Sequence, residues 1–99
     1  MTTFHFGSGS FTNELWIDNK RLFAKPTAVD VEFTTGGAFD WIIADATGAV
    51  VKVQRHANTS AGWTSIHLPS LGLFADYSIG FRNAAPGLRQ IKQGDVTYS

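Results

Sequence analysis

Trp63, Ser65 and His67 stand two residues apart, and in a strand that spacing puts their side chains on one face. An indole beside a hydroxyl and an imidazole can stack on a sugar ring while its neighbours hold the sugar's hydroxyls. Ligand sites combine apolar surface with a few aimed polar groups in this way. Trp16 and Glu14 repeat the pattern on an earlier segment, with Thr12 beyond them. Ser78, Gly80 and Arg82 form a third outward row, whose two small residues would floor a shallow groove ending at Arg82. The expected ligand-binding set is therefore Trp63, His67, Ser65, Trp16, Glu14 and Arg82, and the expected ligand is a glycan.

Other chemistries lack their residues. His5, His56 and His67 are far apart, none has a second ligand three to five residues away, and there is no cysteine. A metal site and a cofactor are not expected. No serine sits in a Gly-x-Ser-x-Gly elbow between a strand and a helix. The glycines of Gly7-Ser8-Gly9-Ser10 are not followed by the Lys-Ser/Thr pair of a phosphate loop and read as a turn. Asp30 and Glu32 share one strand face, but alternation turns it to solvent, so they do not form a hydrolytic carboxylate pair. No enzyme is expected.

Composition narrows the rest. The formal net charge is zero and 16% of residues are charged, which argues against a nucleic-acid partner. The densest basic spots, Lys20-Arg21 and the pair Arg89 and Lys92, read as solvated turn or strand positions. No apolar run is long enough for a membrane span. The first ten residues lack a basic and an apolar region, so a cytoplasmic location, or export without a Sec-type signal, is expected. The absence of cysteine leaves the redox compartment open. The 99 residues suit a single domain, 1–99, with a globular apolar fraction of 43%.

The elements that position these residues are strands. Phe39 to Arg55 reads as a hairpin around Asp45-Ala46-Thr47-Gly48, with Phe39, Trp41 and Ile43 on one face and Val51 and Val53 on the matching face. Ala28 to Thr34 alternates Val29, Val31 and Phe33 against Asp30 and Glu32, and Gly36-Gly37 suits a tight turn into that hairpin, giving an antiparallel meander. Phe11 to Phe23 reads as another hairpin, turning at Asp18-Asn19. Thr2 to Phe6 opens the chain as a strand. His56 to Gly62 reads as a loop crossing to another sheet, and Asn58-Thr59-Ser60 within it matches the glycosylation acceptor pattern. Trp63 to Leu68, Tyr77 to Asn83, and two closing segments split at Gly94 complete the set. The expected fold is an all-β, single-domain antiparallel sandwich, jelly-roll or immunoglobulin-like, with about seven to nine short strands and no substantial helix.

The stretch Gly-Trp-Thr-Ser-Ile-His-Leu-Pro from Gly62, followed by Tyr-Ser-Ile-Gly-Phe-Arg-Asn from Tyr77, resembles small β-sandwich accessory modules, sugar-binding ones among them. Two functions follow as expectations. One is a non-catalytic, lectin-like carbohydrate-binding module, motivated by indoles on the faces opposite their strands' aliphatic residues. The alternative is a small structural or interaction protein, a homo-oligomer that self-associates through a sheet edge or an exposed apolar face, as a neutral, charge-poor surface favours.

Overall fold

A strand buried on one face must alternate, and β4 (Ala28–Phe33) does: Val29, Val31 and Phe33 are buried while Ala28, Asp30 and Glu32 are half-buried. In the computed structural model, the backbone is described for residues 1–99 and the side chains for all but 57–59. The acceptor pattern at Asn58-Thr59 therefore lies outside the described side chains.

Nine strands form two antiparallel sheets. The first sheet runs β1 (Thr2–Phe6), β9 (Arg89–Tyr98), β4, β7 (Gly62–His67), with β2 (Gly9–Phe11) pairing β9 beyond the end of β1. The second runs β3 (Glu14–Trp16), β8 (Ser78–Asn83), β5 (Gly37–Ala44), β6 (Val50–Thr59). With β1 and β2 taken as one strand interrupted at Gly7-Ser8, every connection except β5–β6 crosses between the sheets. That order is a jelly roll. One 3₁₀ turn, Pro69–Leu71, lies between β7 and β8.

The core fills the space between the sheets. Phe81 sits at its centre, its ring centroid 5.1–6.4 Å from those of Trp41, Phe33, Phe39, Phe6 and Phe11. Gly94 of β9 faces this core at a point where Phe6 and the backbone of Asp30 leave no room for a side chain.

Five local expectations are corrected. First, β4 and β5 are not neighbours in a meander. They lie in different sheets, so Val29, Val31 and Phe33 face Phe39, Trp41 and Ile43 across the sandwich. Second, Val51 and Val53 do not share the inner face. Trp41 pairs with Gln54 and Ile43 with Lys52, and the register shifts between Ile43 and Ala44, which pairs with Val50. A four-residue turn, Asp45 to Gly48, already sets Lys52 opposite Trp41. The turn takes one residue more, and the extra residue on β6 restores that parity, so Val53 pairs with Ile42 on the outer face. Third, Phe23 does not return along β3. It bridges to Tyr77, and Asp18, Asn19 and Lys20 make a left-handed turn between them. Fourth, β9 is continuous through Gly94, and its register shift lies opposite Glu32/Phe33, where Lys92 is the extra residue. Fifth, the expected loop from His56 is mostly strand, since β6 continues to Thr59.

The left-handed turn costs most at Lys20, since Asp and Asn tolerate positive φ better. Three contacts hold Lys20 there. Its ammonium donates to the Gly48 carbonyl at 3.1 Å, lies 4.6 Å from the Trp16 ring centroid, and its own carbonyl accepts from the Ser78 hydroxyl at 2.9 Å.

Asp45 closes the β5–β6 turn as an acceptor. Its carboxylate takes the Thr47 hydroxyl and the N–H groups of Thr47 and Ala49. The Thr47 hydroxyl bond holds its pKa below the ordinary 3.8, against a smaller opposing effect of desolvation, with the backbone bonds adding to the lowering. A depressed folded-state pKa stabilises above the unfolded value, and that contribution is lost as pH falls through the folded pKa. Asp45→Asn keeps an acceptor but does not titrate. Its urea midpoint is expected to fall less steeply than the wild type's when pH is lowered below 4.

Candidate functional site

The sandwich leaves two outer faces, and the expected site residues divide between them. On the first sheet, Trp63, Ser65 and His67 share the outer face of β7. Trp63 is 55% exposed and pairs with Glu32, which accepts from the Gln93 amide at 2.9 Å. Ser65 pairs with Asp30, which also faces Asp95 on β9. His67 reaches past the strand end to the Ser70 hydroxyl, Nδ1 to Oγ 2.7 Å. At the far side His5 Nδ1 lies 2.8 Å from Asp95 Oδ1. This face is polar, with one indole standing at its edge strand.

Trp16, Glu14 and Arg82 lie on the outer face of the second sheet. Trp16 is half-buried, because its ring lies on Gly80, where even a Cβ would come within 2.9 Å of the indole. Lys20 covers it from above, and Ser78 is buried beneath the Lys20 carbonyl. The groove floor expected from Ser78 and Gly80 is thus filled by the chain's own Trp16 and Lys20. Two tryptophans on opposite sides of the molecule do not make one platform. The third, Trp41, is in the core.

A charged row crosses the second sheet's outer face. Glu14 pairs with Arg82, Arg82 with Asp40, and Asp40 with Arg55. Arg82 Nε lies 3.7 Å from Glu14 Oε2, and Arg55 Nε donates to Asp40 Oδ1. Asp40 is buried, and its hydrogen bond and charge hold the Arg55 guanidinium's pKa above its ordinary value. Beside this row the strands present Trp16, Gly80, Ile42 and Val53. Ile42 is fully buried, but Val50, Val51 and Val53 are 42%, 47% and 45% exposed on the outermost strand.

A cleft of about 180 Å³ opens between the sheets beside β3, lined by Phe6, Leu15, Trp16, Ile17, Phe81 and Ile91. A second, about 400 Å³ and wide open to solvent, lies over β2 and β9, lined by Ser8, Gly9, Ser10, Thr34, Gln90 and Lys92. The first is below the roughly 300 Å³ at which small-molecule pockets begin, and the second reaches that size without enclosing a ligand. Among the described residues, no three histidines or carboxylates are grouped to hold a metal ion. No helix among them is long and apolar enough to cross a membrane.

Arg89 departs most from expectation. It is not a solvated strand position but 2% exposed, on the inner face of β9. Its guanidinium lies 4.4 Å from the Phe33 ring centroid and 5.6 Å from that of Phe39, and Nη1 donates to the carbonyls of Gly37 and Ala38. Nε and Nη2 have no partner among the described residues. Burial pushes its pKa down. The side chain pins the β4–β5 crossing to β9. Against these contacts stand the desolvation of the guanidinium and two unmade buried donors, and a buried charge of this kind is often worth no more than a well-packed apolar side chain of similar volume. Arg89→Met is expected to lie within about 1 kcal/mol of wild type, whereas Arg89→Ala loses about 3 kcal/mol to the cavity, both measured by urea denaturation.

No protein-family model matches the chain, and no curated protein matches its sequence. Solved structures do match. The crystal structure of FlgD from Xanthomonas campestris, described as giving insights into the hook capping essential for flagellar assembly, aligns with a TM-score of 0.53 at 18% identity. The alignment covers 91% of this chain and 69% of that one. What is shared is the fold. Function belongs to sites carried on a fold, not to the fold itself.

Proposed function

We propose that this chain is a structural building block whose sandwich self-associates through the outermost strand β6 of the second sheet. The observation that carries this reading is the exposure of Val50, Val51 and Val53 together on a ten-residue edge strand. An edge strand presents unpaired N–H and C=O groups, and aliphatic side chains beside them favour pairing with another chain. Natural edges are blunted by charge or by covering loops. Here Arg55 is tied to Asp40, and between Val50 and Val53 no charged side chain stands on the outer face, which leaves the valines open there. FlgD, a protein described in connection with hook capping and flagellar assembly, supports an assembly role for this kind of sandwich. Sedimentation across a wide concentration range tests the reading. The wild type is expected to gain mass with concentration, and Val53→Lys to remain monomeric. A wild type that stays monomeric throughout refutes it.

A second reading rests on Trp63, which is 55% exposed beside the Glu32–Gln93 pair and Ser65. An exposed indole with polar neighbours is a stacking surface for a sugar. Glycan-array and titration signals that vanish in Trp63→Ala support it, and an absent or unchanged signal removes it.

A further inference from the structure

The charged row on the second sheet has unlike ends. It runs Glu14, Arg82, Asp40, Arg55, starting with a carboxylate on outermost strand β3 and finishing with a guanidinium on outermost strand β6. Every neighbouring pair in this four-stranded sheet is antiparallel, so β3 and β6 run in opposite directions. A second copy placed alongside by translation brings its β3 antiparallel to β6 of the first. If its Glu14 stands opposite Arg55, the alternation of sign continues across the seam. The next outward pair in that register is Val53 against Trp16, which places an exposed valine beside a half-buried indole.

The backbone is in phase with this register. The Ile17 N–H donates to the Ile79 carbonyl, and the Asn83 N–H donates to the Asn13 carbonyl. Residues 13, 15 and 17 therefore turn their backbone groups toward β8, and Glu14 and Trp16 turn theirs to the open edge. The same alternation carried through β8 and β5 leaves Val53 and Arg55 facing the open edge of β6. Outward residues of both edges thus turn their backbone groups to the open edge, where the Arg55 carbonyl accepts only a 3.5 Å bond from the Gln54 side-chain amide. A two-fold pairing of β6 with itself also satisfies the backbone, but it brings two guanidinium-ended rows to one seam.

We infer that copies of this chain join head to tail, β6 of one to β3 of the next, with Arg55 opposite Glu14 and Val53 opposite Trp16. This rests on the self-association proposed above and names its geometry. A heterologous contact of this kind repeats without closing and builds an open row of subunits. Opposite charge fixes the register more than it adds affinity, and like charge at the same place is costly.

Glu14→Lys provides the test, because Glu14 is exposed and its replacement leaves the β6 edge untouched. Lysine there faces Arg55 of the neighbouring copy, and self-association measured by sedimentation is expected to weaken about tenfold or more. Glu14→Gln is expected to weaken it less, and near-ultraviolet circular dichroism of Trp16 reports whether each variant folds. Val53→Cys, made in a chain without cysteine, reports on the competing geometry. Under head-to-tail pairing it does not oxidise to a dimer. A wild type that associates while Glu14→Lys associates equally well overturns the head-to-tail register, as does disulfide dimerisation of Val53→Cys. A wild type that never associates overturns the broader reading as well.

Discussion

Phe81→Ala is expected to cost about 4 kcal/mol, more than any other single change considered. The ring is fully buried and touches Trp41, Phe33, Phe39, Phe6 and Phe11, which come from both sheets. Truncating a buried phenylalanine removes its transfer free energy and leaves a cavity, together about 3–5 kcal/mol. Rigid aromatic neighbours cannot collapse into the space, which places this site toward the upper part of that range. A domain of this size has only about 5–15 kcal/mol in total. The melting temperature is therefore expected to drop by roughly 20 °C, read by calorimetry. A drop of only a few degrees would show that the two sheets are not held together at this ring.

Gly94→Ala is expected to cost about 3 kcal/mol by the opposite mechanism. An added Cβ would lie 2.1 Å from Phe6 Cζ and 2.5 Å from the Asp30 carbonyl oxygen. The phenyl ring can swing away, but the carbonyl belongs to β4, the neighbouring strand of the first sheet. The strands must then separate or bend, and overpacking of this kind costs about 1–3 kcal/mol. Glycine is present at this position for close approach rather than for a turn. Urea denaturation of Gly94→Ala beside Gly7→Ala gives the contrast, since nothing lies within 4 Å of a Cβ at Gly7. Equal midpoints for the two variants would contradict this packing.

Period-two alternation made much of the sandwich legible in the sequence. Val29, Val31 and Phe33 face inward, and Trp63, Ser65 and His67 face outward, as counting implies. Counting does not say whether consecutive strands lie side by side or face each other. Gly36-Gly37 looks like a hairpin turn, yet β4 and β5 belong to different sheets. A jelly roll depends on such crossings, and their signature is long-range packing rather than local sequence. Parity also fails wherever a strand gains a residue. On β9 the extra residue Lys92 moves the inward set from Arg89 and Ile91 to Gly94 and Val96, whereas on β6 the shift beside Ala44 and Val50 only restores the parity of a four-residue turn, so the outward face of Val53 was already readable from the turn. The row Glu14, Arg82, Asp40, Arg55 was hidden, since its members meet only through three strand pairings. Arg89 was within reach: it shares a strand with Ile91, two residues on, and the inner face was the available reading. A charged side chain in the core runs against expectation, and the aromatic rings and carbonyls that receive it come from β4 and β5.

The central claim is that the open edge of β6 is covered by another copy of this chain. Amide hydrogen exchange at Val53 and Arg55, followed as protein concentration rises, addresses it most directly. Lys52 and Gln54 point their amides toward β5 and serve as the internal reference. Exchange at Val53 and Arg55 is expected to slow with concentration while the reference amides hold constant. Exchange at all four that is indifferent to concentration would contradict the claim.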